Sequence, residues 1–325
     1  MNSDVALWIQ ARTGAHSISE PQQIQVLWSG YGSIERYGLK GGKCPSVILK
    51  KIAPPSSTNH PRGWNTDVSH QRKLKSYQVE AYWYKNYASR SSEDCRLPRL
   101  IAAQDSDGGA WLLLEDLDAA GFQRRMTSVD DVAFKACIRW LTCFHAQYLG
   151  VTPEGLWKSG TYWHLDTRPD ELEVLKAEDP DLHTVAAELD KRLANSPFQT
   201  LVHGDAKLAN FCFSGDGASV AAVDFQYIGG GCGMKDLAYF VGSCLSEHAS
   251  ARREAEILDI YFQFLRTALA DKQVDIDALE RDWRGLYPIA WTDFHRFLKG
   301  WSPGHWKVNT YSESVARRVI QSIRP

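Results

Sequence analysis

Asp205 and Asn210 stand five residues apart in LVHGDAKLANF (Leu201 to Phe211), and Asp224 follows Asp205 by 19 residues, within AAVDFQ. Singly, an Asp or Asn in a loop is a turn former whose side chain bonds nearby backbone. Here two carboxylates and a carboxamide sit at the ends of two short apolar runs, Thr200 to Val202 and Ser219 to Val223, with the turn SGDG (Ser214 to Gly217) between them. If those runs pair as strands, the three side chains face one spot. Such a set suits phosphoryl transfer from a nucleotide such as ATP, where an acceptor hydroxyl is aligned and Mg2+ bridges phosphate oxygens. Asp205 would accept the hydroxyl proton and orient the oxygen. Asn210 and Asp224 would hold the metal, as hard oxygen ligands for a hard cation.

That chemistry also needs a phosphate-anchoring lysine. CPSVILKKI (Cys44 to Ile52) reads as a strand ending in two lysines, and alternation puts Lys50 and Lys51 on opposite faces. Lys50 is the one expected to turn inward, with Glu80 on the following helix as its ion-pair partner. Upstream, SGYGS (Ser29 to Ser33) offers Gly30, Gly32 and Ser33 as a loop whose backbone amides could approach phosphate. The pattern is incomplete, since Glu35 stands where a third Gly would fall. GLKGGKCPS has the wrong spacing for a P-loop and reads as a hairpin loop. GGGCG (Gly229 to Gly233) reads as a tight path after Asp224.

The elements that must position these residues change character along the chain. Ile24 to Trp28, Ile34 to Leu39 and Cys44 to Ile52 are strand candidates. After a Pro, Ser and Asn-rich connection (Pro54 to Asn65), Leu74, Tyr77, Ala81, Tyr84 and Ala88 recur at helical spacing. A turn region, Ser91 to Arg99, precedes the apolar run Ala110 to Leu114. Helices then dominate: Ser128 and Asp131 open one carrying Cys137, Leu141, Phe144 and Tyr148 on a face, and Ala249 to Ala270 and Asp277 to Trp301 are two more. Trp157, Trp163, Trp301 and Trp306, in WKSGTYWHL and GWSPGHW, are candidate walls of a substrate cleft.

Composition narrows the partners. With 325 residues, 44% hydrophobic, 23% charged and a formal net charge of -2, neither disorder nor a polyanion-binding surface is indicated, and no nucleic-acid partner is expected. The seven cysteines contain no C-x-x-C pair, which argues against a disulfide framework or a zinc site and fits a reducing cytoplasm. No secretion signal and no membrane span are expected.

With Lys50, Glu80, HGDAKLAN and DFQ in this order, the chain resembles the aminoglycoside phosphotransferase and choline kinase superfamily, which shares the protein-kinase-like fold. The interval from Asp205 to Asn210 is that of the kinase catalytic loop. LLLEDL (112–117), HGD with Asn210, DFQ and DLAYF (Asp236 to Phe240) look closest to its ecdysteroid-kinase-like branch, and the likeness spans about residues 25 to 245. It implies an α+β, two-lobed fold: a small β-rich N-terminal nucleotide-binding lobe, residues 1–116, and a larger, mainly helical catalytic and substrate-binding lobe, residues 117–325. It further implies Glu115 to Leu117 as a hinge whose backbone bonds adenine, and Asp236 as a buried brace of the catalytic loop. His203 then reads as a structural brace beside Asp205. Lys207 is either a contact to the transferring phosphate or a solvent-facing lysine. Gly204 replaces the Arg of protein kinases and no A-P-E follows, which favours a small-molecule substrate. The expectation is an ATP- and Mg2+-dependent kinase acting on a hydroxyl of a small organic substrate, with a leaning to a hydrophobic or sterol-like alcohol. A choline- or aminoglycoside-type kinase is the alternative, and a nucleotide-binding pseudokinase is the rival from another class.

Overall fold

In the computed structural model, which describes residues 3–27, 30–54, 67–106 and 109–323, a six-stranded antiparallel sheet is built first. Its strands are β1 (Ser17–Ile18), β2 (Gln22–Val26), β3 (Gly32–Lys40), β4 (Ser46–Ile52), β5 (Leu100–Ser106) and β6 (Gly109–Glu115), in the order β1-β3-β4-β6-β5 with β2 also on β3. β4 has no polar face because both of its faces are covered. Val47 and Leu49 pack with Val5 and Ile9 of helix α1 (Ser3–Thr13), while Ile52 joins the main core on the opposite side. Helix α2 (Asp67–Asn86) lies on that second side and carries Tyr77, Glu80, Trp83 and Tyr84 inward. The loop between β3 and β4 is a hairpin, as its glycines suggested. Trp28, Ser29 and most of the connection from Pro54 to Asn65 lie outside the described residues.

Beyond residue 130 the chain is helical: α3 (Asp131–Gln147), α4 (Pro169–Glu178), α5 (Pro180–Ala194), α6 (Met234–Cys244), α7 (Glu247–Ala268), α8 (Ile276–Trp301) and α9 (Thr310–Ile323). α3 packs on α7, and α8 runs against α4, α5, α6 and α9. Asp130, rather than Ser128, caps α3, accepting from Ala133 N at 2.8 Å. The fold is therefore a two-lobed, kinase-like α+β arrangement. Among the described residues no helix is long and apolar enough to cross a membrane.

Two short ribbons lie between α5 and α6: β7 (Thr200–Val202) with β10 (Gly229–Gly231), and β8 (Phe211–Phe213) with β9 (Val220–Ala222). This corrects the expected pairing. The run before Asp205 does not pair with the run before Asp224; each finds another partner, and SGDG closes the β8–β9 hairpin. The GGGCG stretch supplies a strand because side chains would not fit there: a Cβ on Gly229 would lie 2.2 Å from the Trp157 carbonyl oxygen. α1, β5, α4, α5 and α9 were not foreseen. Helix α1 has almost no one-sided pattern beyond Val5 and Ile9, and β5, LIAAQDS, takes its place from pairing with β6.

Candidate active site

The sheet and the helical region enclose a cavity of about 970 Å³, lined by Lys50, Glu80, Asp205, Asn210 and Asp224 and by the strand-end segment Glu115 to Leu117. Register decides which lysine reaches it. Lys50 is opposite Ile34 and Leu112 in neighbouring strands, 4% exposed, and its Nζ donates to Glu80 Oε2 at 2.6 Å. Lys51 faces the other way and donates to Glu35 at 2.7 Å. Burial works against the Lys50 ammonium, but Glu80 and Asp224, the latter 3.6 Å away, outweigh it and hold its proton affinity above the usual lysine range.

The loop after β7 is held by a buried carboxylate. Asp236, at the start of α6, accepts from His203 N at 2.6 Å, from Gly204 N at 2.9 Å and from His145 Nε2 at 3.1 Å. Burial raises its proton affinity, but these donors and the neighbouring imidazoles of His145 and His203 bring it below the usual carboxylate range. His203 donates from Nε2 to Val223 O at 3.0 Å and accepts at Nδ1 from Asp205 N at 3.2 Å, tying the two acidic segments together. Gly204 has φ +79°, and a Cβ there would meet Tyr227 O at 2.1 Å. Close packing of the loop on the 227 segment thus explains why Gly stands before Asp205.

Asp205 Oδ2 accepts from Lys207 Nζ at 2.9 Å and Asn210 Nδ2 at 3.0 Å, while Oδ1 accepts from the Tyr239 hydroxyl at 3.0 Å. Asn210 also donates to Asp205 O at 2.8 Å, which commits its amide nitrogen and leaves its side-chain oxygen to face a cation. Asp224 has φ +70°, a conformation uncommon for a side-chain-bearing residue. Burial pushes its carboxyl up, but Lys50, Lys73, Lys207 and His203 hold it below the usual range, so it presents an anion. Among the described residues no group of three His, Cys, Asp or Glu side chains is arranged to hold a metal alone. One carboxylate and one carboxamide fit a cation that completes its shell with phosphate oxygens and water.

Other expected residues are placed differently. Gly30, Gly32 and Ser33 do not line the cavity. Ser33 pairs with Lys51 in register and bonds Glu35 at 2.8 Å on the outer face, and a Cβ on Gly32 would strike Lys51 O at 1.9 Å, so that glycine serves the contact between β3 and β4. Glu115 and Leu117 do line the cavity, and Asp116 between them is clamped by Arg36 at 2.7 Å and Ser46 at 2.6 Å. Of the four tryptophans, Trp301 alone lines the cavity. Trp163 is fully buried and bonds Asp293 at 3.0 Å as part of the core; Trp157 is buried beneath Tyr227; Trp306 is 63% exposed outside it.

Several lining residues were not foreseen. Lys73 lies four residues before Tyr77 and seven before Glu80, so the helical spacing that marks Glu80 also marks Lys73. Tyr239 follows Asp236 by three and shares its helical face. Gln226 bridges Asp224 Oδ1 and Lys73 Nζ, at 2.7 Å each. Arg72 and Phe297 come from α2 and α8, Tyr162 and Arg168 from the connection before α4, and no local pattern unites the three segments.

Residues 165–274, which hold the loop, the Asp224 segment and α6, match the model of the ecdysteroid kinase-like family. The chain resembles the ecdysteroid kinase-like family. No curated protein matches it. Among solved structures it is similar to the amicoumacin kinase hAmiN in complex with AMP-PNP, Ca2+ and Ami, at 16% identity and TM-score 0.50, covering 99% of this chain and 93% of that one. It is also similar to an ethanolamine kinase of Plasmodium vivax (15%, TM-score 0.51, 94% and 83% covered) and to a putative fructosamine-3-kinase of Haemophilus somnus 129PT (13%, TM-score 0.50, 99% and 97%). At these identities the likeness is one of fold. The ecdysteroid kinase-like stretch begins inside the helical lobe, so the Lys50–Glu80 pair lies outside it.

Proposed function

We propose that the protein is a kinase that transfers the γ-phosphate of ATP to a hydroxyl of a small organic molecule, with Mg2+ as the divalent ion and Asp205 as the base. The observation that carries this reading is the convergence on one cavity of a buried Lys50–Glu80 pair, an ionised Asp224, and Asp205 with Asn210 at its side. The relatives named above as kinases support it. Residues 1–116 would form the nucleotide lobe and 117–325 the catalytic lobe.

Lys50, oriented by Glu80, would hold the α- and β-phosphates. Adenine would meet the Glu115 carbonyl and Leu117 N–H, since Glu115 N is already donated to Arg99 O at 2.9 Å. Asn210 and Asp224 would hold Mg2+, which neutralises phosphate oxygens when bound. Asp205 takes the proton as the acceptor oxygen bonds the γ-phosphorus and the bond to the ADP oxygen breaks; Lys207 offsets charge on the transferred group. The amide nitrogen of Asn210 fixes the Asp205 carboxylate. Most of the rate enhancement would come from alignment and electrostatics.

The test is Mg-ATP-dependent phosphorylation of a library of small alcohols by purified protein, beside Asp205→Asn. Turnover should fall by about 10² to 10⁴-fold in the variant with nucleotide binding retained; equal turnover would remove Asp205 from its role.

A further inference from the structure

The lining beside Asp205 sets four cations among four carboxylates, Asp170, Glu171, Asp205 and Asp224, but not every cation is paired at bonding distance. Arg72 and Lys73 enter it from α2, Arg168 from the residue before α4, and Lys207 from the loop after β7. Two of these have carboxylate partners: Arg168 Nη1 donates to Glu171 Oε1 at 2.9 Å, and Lys207 donates to Asp205 at 2.9 Å. The other two meet only neutral groups within bonding distance among the described residues. Arg72 donates to Thr167 O at 2.7 Å and Ser69 Oγ at 3.1 Å, and Lys73 to Gln226 Oε1 at 2.7 Å. Burial and the like charge of Arg168 weaken the hold of Arg72 on its proton and outweigh the opposing pull of the more distant Glu171 and Asp170 carboxylates. Two guanidinium groups beside one cavity are relaxed by an anion that takes their remaining N–H donors in bidentate fashion.

The aromatic surfaces argue the same way. A cationic acceptor would need free ring faces, but Arg168 already lies over the Tyr162 and Phe297 rings, 5.8 and 5.0 Å from their centroids. Trp301, stacked on the buried Phe297 at 5.8 Å and 12° and itself partly exposed, offers the ring surface for a flat body.

We propose that the acceptor is an anionic alcohol, whose apolar body lies along Trp301 and whose carboxylate, sulfate or phosphate group is bound by Arg72 with Lys73 and Arg168 while its hydroxyl faces Asp205. The proposal rests on the kinase reading and names the substrate class of that site. Its competitor is the phosphate chain of the nucleotide, which the same cations would otherwise serve.

A panel of hydroxy acids, each paired with its primary amide, separates the two when assayed with Mg-ATP on wild type, Arg72→Gln and Arg72→Lys. Acids should be phosphorylated in preference to their amides. Arg72→Gln should raise KM for the best acid tenfold or more, with KM for ATP and turnover at saturating acid near wild type, and Arg72→Lys should recover part of the loss. Equal kcat/KM for acid and amide, or a rise in the KM for ATP instead, overturns the proposal. If no pair is phosphorylated, calorimetric titration of sulfate into protein saturated with Mg-AMP-PNP decides. Binding that Arg72→Gln weakens tenfold supports the site; no binding, or binding unchanged in the variant, refutes it. Failure to bind Mg-AMP-PNP refutes the kinase reading by itself, and sulfate titrated into the nucleotide-free protein then carries the anion test.

Discussion

The two ends of the cleft solve opposite electrostatic problems. At the candidate nucleotide end, buried charge is matched: Lys50 with Glu80 and Asp224, Asp116 with Arg36. At the candidate acceptor end, Arg72 and Lys73 donate to neutral oxygens, Lys73 reaching Asp224 only through Gln226, and the walls are aromatic. The first end is preorganised by its own pairs, so removing a partner there damages the protein itself. The second is held open by packing, so changes there should act on acceptor affinity.

The largest effect is expected from Glu80→Gln. Losing the carboxylate leaves the Lys50 ammonium with Asp224 as its remaining anionic partner among the described residues, and breaking a buried pair in this way costs about 3 kcal/mol. Chemical denaturation should show that loss together with weaker Mg-ATP binding; a variant as stable as the parent would break the contrast between the two ends.

Next in size is an effect of pH. Lys307 Nζ lies 4.7 Å from the Tyr239 ring centroid, behind the Asp205 loop, and burial pushes its proton affinity down to about 8, with Lys207 adding to the fall and Asp205 opposing it. A lysine lowered on folding costs stability below about pH 8, where both states are protonated. The cost fades as pH rises towards 10.5, because the unfolded chain then binds the extra proton. Lys307→Met should therefore be more stable than wild type at pH 7, by on the order of 2 kcal/mol, with the gap closing by pH 10. A gap independent of pH would show that the lysine does not titrate in this way.

Tyr239→Phe removes one of three donors to the Asp205 carboxylate. A hydrogen bond to a charged group is worth roughly 1.5 kcal/mol, so kcat should fall about tenfold while KM for ATP is unchanged. An equal fall in nucleotide affinity would make the tyrosine a general packing residue. The smallest change is Trp301→Ala, which should raise acceptor KM several-fold and leave the nucleotide parameters alone; the reverse pattern would move Trp301 out of the acceptor wall.

Legibility in the sequence followed the locality of each interaction. Lys50 and Glu80 were legible because a strand alternates with period two and a helix returns to one face every three or four residues. The Asp205 to Asn210 loop read as a turn by itself and stood out only beside Asp224, Lys50 and Glu80. Gly32 has a structural use, because a glycine admits any close approach and its close neighbour is the carbonyl of Lys51 in β4. Of the four tryptophans only Trp301 lines the cavity. A large ring buries itself wherever a core needs filling, so Trp163 went to the interior and Trp306 stayed outside.

By itself the sequence determined the kinase-like order of strand lysine, helix glutamate, loop aspartate and asparagine, and second aspartate, since each is set within a few residues by backbone periodicity and turn chemistry. Only the tertiary structure decided that β7 pairs with β10 and β8 with β9, and that Arg72 of α2 meets the carbonyl of Thr167, 95 residues away. Those neighbours are chosen by packing of distant segments around a shared core. For the same reason the character of the acceptor end, cations and ring faces drawn from α2, the 162–171 segment and the end of α8, is a property of the folded chain.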